Sequence, residues 1–231
     1  MKERKYMPLI AALVTLLPMF VGLILWNKLP DTVPIHFNSM NEADGYAPKS
    51  FAVYWCPIIM LIFHCLIRLG VRGKGMSRKF GRLSIAMTWL CPVLSCMIGG
   101  LTYLEALGSN VNSNIIICSF VGAIFIIFGA YLPSIERNSM VGLKFGWTLA
   151  NEGNWKFTHK VGRISFITAG VIFLLCGFYY KVWIVITAFA IAIVVPYIAS
   201  FAFYKKYGDK NPYAAKEKAK KKAAPKPKKL N

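Results

Sequence analysis

Three histidines, nine carboxylates and six cysteines are the side chains of this chain with the most chemical range. His36 and His159 each sit in a polar stretch, whereas His64 sits inside an apolar run. Residues so placed do not converge on one metal, which needs clustered ligands. The sequence shows no Ser/His/Asp grouping, no paired carboxylates within an apolar run and no Gly-rich phosphate loop. The expectation is a protein that is not an enzyme, with no cofactor and no metal, and that works by binding. Cys56, Cys65, Cys91, Cys96, Cys118 and Cys176 all fall in apolar runs without a Cys-x-x-Cys pair. They read as small packing residues.

The elements that must hold these residues are six apolar runs, at 6–26, 51–69, 84–107, 115–133, 164–180 and 182–204. Each has about the 20 residues needed to cross the hydrocarbon core, or nearly so. The chain is 56% hydrophobic, with a mean hydropathy of +0.50. Its formal charge of +19 comes from 28 basic and nine acidic residues. The cations lie in alternate gaps: Lys2, Arg4 and Lys5; then Arg68 to Arg82; then Arg137 to Arg163; then the tail from Lys205. By the positive-inside rule those gaps face the cytoplasm. The expected fold is an all-α membrane protein, a six-transmembrane helical bundle with both termini cytoplasmic, in the bacterial cytoplasmic membrane. The charge then reads as topology and contact with anionic lipid headgroups, with no direct nucleic-acid binding.

Four segments follow: 1–69 with an outer loop at 27–50, 70–133, 134–204, and a tail at 205–231. The tail holds 11 Lys, three Pro and five Ala and reads as disordered. Cys91, Ser95 and Gly99, and likewise Ala188 and Ala192, recur at four-residue spacing and predict close helix packing. Pro8, Pro18 and Pro92 allow kinks. His64 and Arg68 lie one turn apart on the second run and read as structural, although an ionisable group inside a span also raises a functional role. Glu105 is expected to pair with Lys28 or Lys49.

In the outer loop, Pro30 and Pro34 hold residues 29–38 extended, and Asp44-Gly45 predicts a turn. Strand alternation sets His36 on one side and Ile35 with Phe37 on the other, facing the bundle. The order L-P-x-x-V-P-I-H-F-N, then D-G, then Lys, resembles the domain of unknown function at the start of SdpI-type immunity proteins. Leu29, Pro30, Pro34, His36, Phe37, Asn38, Asp44, Gly45 and Lys49 stand at the matching places. That family commonly has a glycine soon after the Asn, where this chain has Ser39-Met40-Asn41.

The inner loop carries the densest polar constellation. Glu136-Arg137-Asn138, Gly142-Leu143-Lys144, Trp147-Thr148-Leu149, Glu152, Trp155, Thr158-His159-Lys160 and Gly162 are similar to the second SdpI-family signature. Lys144 stands where the family often has Arg, and Gly146 where it often has Pro. Independently of any family, Asn151 predicts a helix cap. Glu152, Trp155, His159 and Gly162 are then spaced to share a face. Trp155 is expected at the headgroup level, and Gly162 is expected to admit a close neighbour. Lys144, Lys160 and Arg163 are expected to meet lipid phosphates or to pair with Glu136 and Glu152.

The resemblance implies an immunity protein that protects the producing cell from a secreted peptide toxin. It also implies a relay of toxin presence to a cytoplasmic repressor. The residues it implicates in toxin or partner binding are Pro34, His36, Phe37, Asn38, Asp44 and Lys49 outside, and Glu136, Arg137, Asn138, Gly142, Lys144, Trp147, Thr148, Glu152, Trp155, Thr158, His159 and Lys160 inside. The residues alone also admit a small-solute transporter using His64, or a structural envelope-stress protein.

Overall fold

In the computed structural model, which describes residues 3–72 and 83–208, Pro18 breaks the first apolar run in two. Helix α1 spans Glu3–Thr15 and α2 spans Leu17–Ile24. Proline lacks the N–H that would have bonded the carbonyl four residues back, at Val14. Cys96 Sγ donates to that carbonyl at 3.6 Å, and Ser95 Oγ donates to the Thr15 carbonyl at 2.8 Å. Both donors lie on α4 (Leu83–Ala106). The small-residue stripe of α4 thus serves two purposes. Cys91 and Ser95 are buried, and Gly99 lets Pro18 approach so closely that an added Cβ would sit 2.6 Å from it.

Helix α3 (Cys56–Arg72), entered through a π-helical turn at Phe51–Trp55, completes a first group with α1, α2 and α4. A second group joins α5 (Ser113–Tyr131), α7 (Glu152–Cys176) and α8 (Val182–Tyr207). In it α5 and α7 meet backbone to backbone at Gly122 and Gly170, where a Cβ on either would stand 2.7 Å from the other's carbonyl oxygen. Ala188 and Ala192 of α8 are fully buried beside Ala169 and Phe173 of α7. The two groups meet along α4 and α5 by a thin seam, with an apolar cleft of about 290 Å³ between them.

Six helices among the described residues are long and apolar enough to cross a membrane: Tyr6–Ile24, Phe51–Gly70, Ser84–Ala106, Ser113–Ser134, Glu152–Cys176 and Val182–Tyr207. Outward-facing Leu, Ile, Val and Phe side chains cover them, as lipid contact requires. The protein is a multi-pass membrane protein built as a six-helix bundle. The expected inner end of span five moves. That helix begins at Glu152, 12 residues before the apolar run, and ends at Cys176. The basic gap at 73–82 and the tail beyond Gly208 lie outside the described residues.

The all-α expectation needs one addition. Residues 29–38 do not run alone. Strand β1 (Thr32–Phe37) pairs antiparallel with β2 (Ala43–Pro48) in a two-stranded hairpin over one end of the first group. Val33 and Leu29 anchor it in a cluster with Ala52, Val53 and Tyr103. At the opposite end, residues 132–151 fold back over α5 and α7 and include the short helix α6 (Gly146–Ala150).

Candidate functional site

The two polar loops sit at opposite ends of the bundle. In the hairpin the turn is not at Asp44-Gly45. Asn38 makes it instead: its Oδ1 accepts from the backbone N–H of Met40 (2.8 Å) and Glu42 (3.0 Å). Asn41 takes the left-handed conformation (φ 66°), which Asn tolerates better than most residues. That is the job a glycine would do in this turn. Asp44-Gly45 lies inside β2, and Gly45 faces His36, where a Cβ would come within 2.8 Å of the His36 Cβ. The glycine leaves room for a cross-strand neighbour. His36 Nδ1 and Asp44 Oδ1 are 2.5 Å apart on the exposed face.

Ile35 does not turn inward as strand alternation predicts. The register shifts between Pro34 and His36, so a bulge at Ile35 displaces it, and Ile35 is 49% exposed. Pro34 is buried and Phe37 is half-buried. Lys49 does not reach Glu105. It lies under the hairpin, pairs with Asp31 at 3.2 Å and donates to the carbonyls of Trp26 and Leu29. Glu105 accepts from the backbone N–H of Val111 and holds its own turn. The hairpin tip is tied to the second helix group by Asn41. Its Nδ2 donates to the Val111 carbonyl (3.0 Å), and its Oδ1 accepts from the Ser113 N–H (2.7 Å) and hydroxyl.

The inner loop is organised from the middle of α7 outward. Asn151 caps that helix as expected, accepting from the N–H of Gly153 and Asn154, and its Nδ2 reaches the Gly208 carbonyl at the end of α8. Trp155 is 2% exposed and far from the lipid-facing position expected of it. It fills a cluster with Leu132 and Ile135, and its indole N–H donates to the Ile135 carbonyl at 2.9 Å. The His159 ring stacks on the Trp155 indole, with centroids 4.1 Å apart. His159 Nδ1 bonds the Trp155 carbonyl (2.8 Å), and its Nε2 accepts from the Leu143 N–H (3.3 Å). One nitrogen donates and one accepts, so the geometry selects the neutral Nδ1–H tautomer.

Gly142 closes over these two rings with φ 128°, and a Cβ there would stand 2.6 Å from His159 Nε2. Gly162 admits Leu143 and Leu132 as the close neighbours expected of it. Buried Asn138 satisfies four backbone groups, donating to the Glu136 and Val141 carbonyls and accepting from Met140 and Val141. Arg137 donates to the carbonyls of Leu149 and Ala150, at the open end of α6. Lys144 donates to the carbonyls of Ser139 and Met140 rather than to a carboxylate. Gly146 begins α6, where a proline fits, and the Thr148 hydroxyl accepts from the Phe145 N–H to start the turn. Glu152 pairs with Lys156 at 2.8 Å. Glu136 and Lys160 are exposed.

Two residues outside the sequence-derived set complete the network. Trp147 Nε1 donates to Ser200 Oγ (2.8 Å), and Ser200 Oγ donates to Asn154 Oδ1 (3.0 Å). Thr158 donates to the same oxygen, and Asn154 Nδ2 donates to the Ser200 carbonyl. Asn154, Thr158 and Ser200 are fully buried. The available signals were a polar residue one turn before Thr158 and a lone serine near the end of the last apolar run. Both are patterns of interhelical hydrogen bonding in membranes.

His64 lies apart from both loops. It is 2% exposed within α3, facing the backbone of Pro8 and Thr88, and its Nδ1 has no hydrogen-bond partner among the described residues. Arg68 Nη1 reaches Thr88 Oγ1 at 3.5 Å. The three histidines therefore occupy three separate places, and no group of three metal-capable side chains forms among the described residues.

Comparison with known proteins matches the two loops separately. Residues 13–61 match a domain of unknown function, DUF1648, and residues 134–200 match the SdpI/YfhL protein family. The chain is also 27% identical over 201 residues to the immunity protein SdpI of Bacillus subtilis (strain 168). That alignment covers 86% of this chain and 96% of the relative. No solved structure matches significantly. The two family matches stand in chain order, and one near-full-length similarity to an SdpI immunity protein spans them both.

Proposed function

We propose that this protein is an integral membrane immunity protein that protects the cell producing it from a secreted antimicrobial peptide. The near-full-length similarity to an immunity protein carries this reading. The bundle has the size and apolar surface to stand at the membrane where such a peptide acts. The protein works by capture rather than catalysis, and both termini face the cytoplasm, a reading supported by the alternate basic gaps. The hairpin then lies outside, where a secreted peptide arrives, and the 132–151 loop lies inside.

The relay to a cytoplasmic repressor belongs to that inner end. The exposed cations Lys160 and Arg163 offer a surface for an acidic partner or for anionic lipid headgroups. The buried network beneath them holds the platform in shape.

Expression in toxin-sensitive bacteria tests the proposal. Survival against a panel of secreted peptide toxins should rise when the protein is present at normal membrane abundance. Sensitivity unchanged across the whole panel would refute it.

A further inference from the structure

The hairpin uses its inner face to dock on the bundle and leaves its outer face bare. We infer that this outer face is a docking surface for a cationic, amphipathic peptide segment. The inference rests on the immunity reading above and specifies the chemistry of the captured peptide and where it lands.

Strand alternation sorts β2 cleanly. Glu42, Asp44, Tyr46 and Pro48 are exposed, whereas Ala43, Gly45 and Ala47 are half-buried. On β1 the bulge turns Ile35 outward beside His36. The result is a strip in which carboxylates alternate with large apolar groups. Tyr46 is 60% exposed and Met40, at the tip, is 72% exposed.

The charge on this strip is one-sided. Residues 29–50 hold three carboxylates and a single lysine, with exposed Lys28 just before them, in a chain whose formal charge is +19. That lysine, Lys49, is tucked under the hairpin with its side chain 18% exposed, while the Asp31 side chain is 99% exposed. A cationic partner therefore meets Glu42 and Asp44 on the exposed face, where Glu42 accepts from Asn38 Nδ2 (3.0 Å) and Asp44 lies against the His36 ring, while the Lys49 ammonium is turned away. The same signs disfavour anionic lipid headgroups and a second copy of the hairpin, since each would oppose like charges.

Magnitudes add the requirement for an apolar side. An exposed ion pair contributes only about 0.2–1 kcal/mol, so Glu42 and Asp44 alone would hold a polycation weakly. Covering Ile35, Met40 and Tyr46 supplies the larger share. The strip is also preorganised, because Lys49 pins its base and Asn41 its tip. Little ordering cost then remains to be met on binding.

The full chain in nanodiscs of zwitterionic phosphatidylcholine, compared with empty nanodiscs, gives the test. The probes are a dye-labelled synthetic amphipathic peptide of Lys and Leu, and the same peptide with Glu in place of Lys. The Lys peptide should bind, and the Glu peptide should not. Glu42→Gln with Asp44→Asn should weaken binding roughly fivefold to tenfold at low salt. Tyr46→Ala should weaken it about tenfold. Equal binding of the two peptides, or equal affinity of wild type and the charge variant, would overturn the inference. Efficient crosslinking of Tyr46→Cys between two copies would also overturn it by giving the face to a dimer.

Survival assays separate the two readings. If wild type protects and the charge variant protects equally at equal abundance, the docking surface falls and immunity stands. If wild type protects against nothing, immunity itself falls.

Discussion

The hairpin at 32–48 and the loop at 134–151 cap opposite ends of the bundle with similar residue types, yet they aim them in opposite directions. In the hairpin, His36, Asp44, Glu42 and Tyr46 point outward, and the backbone is held by Asn38, Asn41 and Lys49. In the inner loop, Asn138, Thr148, Trp155, Thr158 and His159 are buried and bonded to their own neighbours. A signature residue can therefore serve either by contacting a partner or by building the surface that does. Under the proposed function the hairpin takes the first role and the inner loop the second. Among the signature residues of the inner loop, Glu136 and Lys160 stay outermost, while Arg137 and Lys144 are engaged with backbone carbonyls.

The sharpest break of this contrast is at Trp155. Trp155→Ala should cost about 3–5 kcal/mol, because it empties a buried site and leaves the Ile135 carbonyl unpaired. Thermal unfolding in detergent, together with membrane abundance, measures the loss. If the variant melts normally yet no longer protects, the inner loop is itself a contact surface and the contrast fails.

Gly142→Ala comes next, with an expected loss of about 1–3 kcal/mol from a strained φ and a Cβ driven into His159. The signature to look for is a change in Trp155 fluorescence as its stacked partner shifts. Asn154→Ala should be comparable, about 1–3 kcal/mol, since it strands Ser200 and Thr158 in a buried setting. A double variant with Ser200→Ala should cost less than the sum of the two singles, because they share one network.

Asn41→Ala should lower stability by about 1 kcal/mol and free the hairpin tip from the second helix group. Asn41→Gly keeps the left-handed turn but not the tie, so hydrogen exchange at the hairpin should rise in both variants. The smallest effect on stability is expected at Asp44→Asn, within about 0.5 kcal/mol, because its pair with His36 is exposed. Protection per molecule should fall there while the melting temperature holds. A lowered melting temperature with intact protection would reverse the roles of the two loops.

Much of this was legible because membranes simplify the problem. Run length, proline positions and the four-residue stripes follow from the need to satisfy every backbone group within lipid. The motifs also fall in the two segments that the family models match. What sequence reasoning missed were local directions. Ile35 points outward because a bulge shifts the register by one residue, and alternation cannot foresee a bulge. Asp44-Gly45 resembles a turn, but the earlier Asn38 and Asn41 already reverse the chain. Trp155 resembles an interfacial anchor, but the 132–151 segment folds over it.

The sequence by itself determined the six spans, the alternate basic gaps, the cap at Asn151 and the family signatures, because each depends on residues close together in the chain. Only the tertiary structure decided which polar side chains face a partner and which hold the protein together. Asn41 finds Ser113, Trp155 finds Ile135 and Asn154 finds Ser200 across helices whose contact depends on close packing at glycine, alanine and serine. A hydrogen bond between residues that distant in sequence is fixed by helix packing, and no local pattern records it.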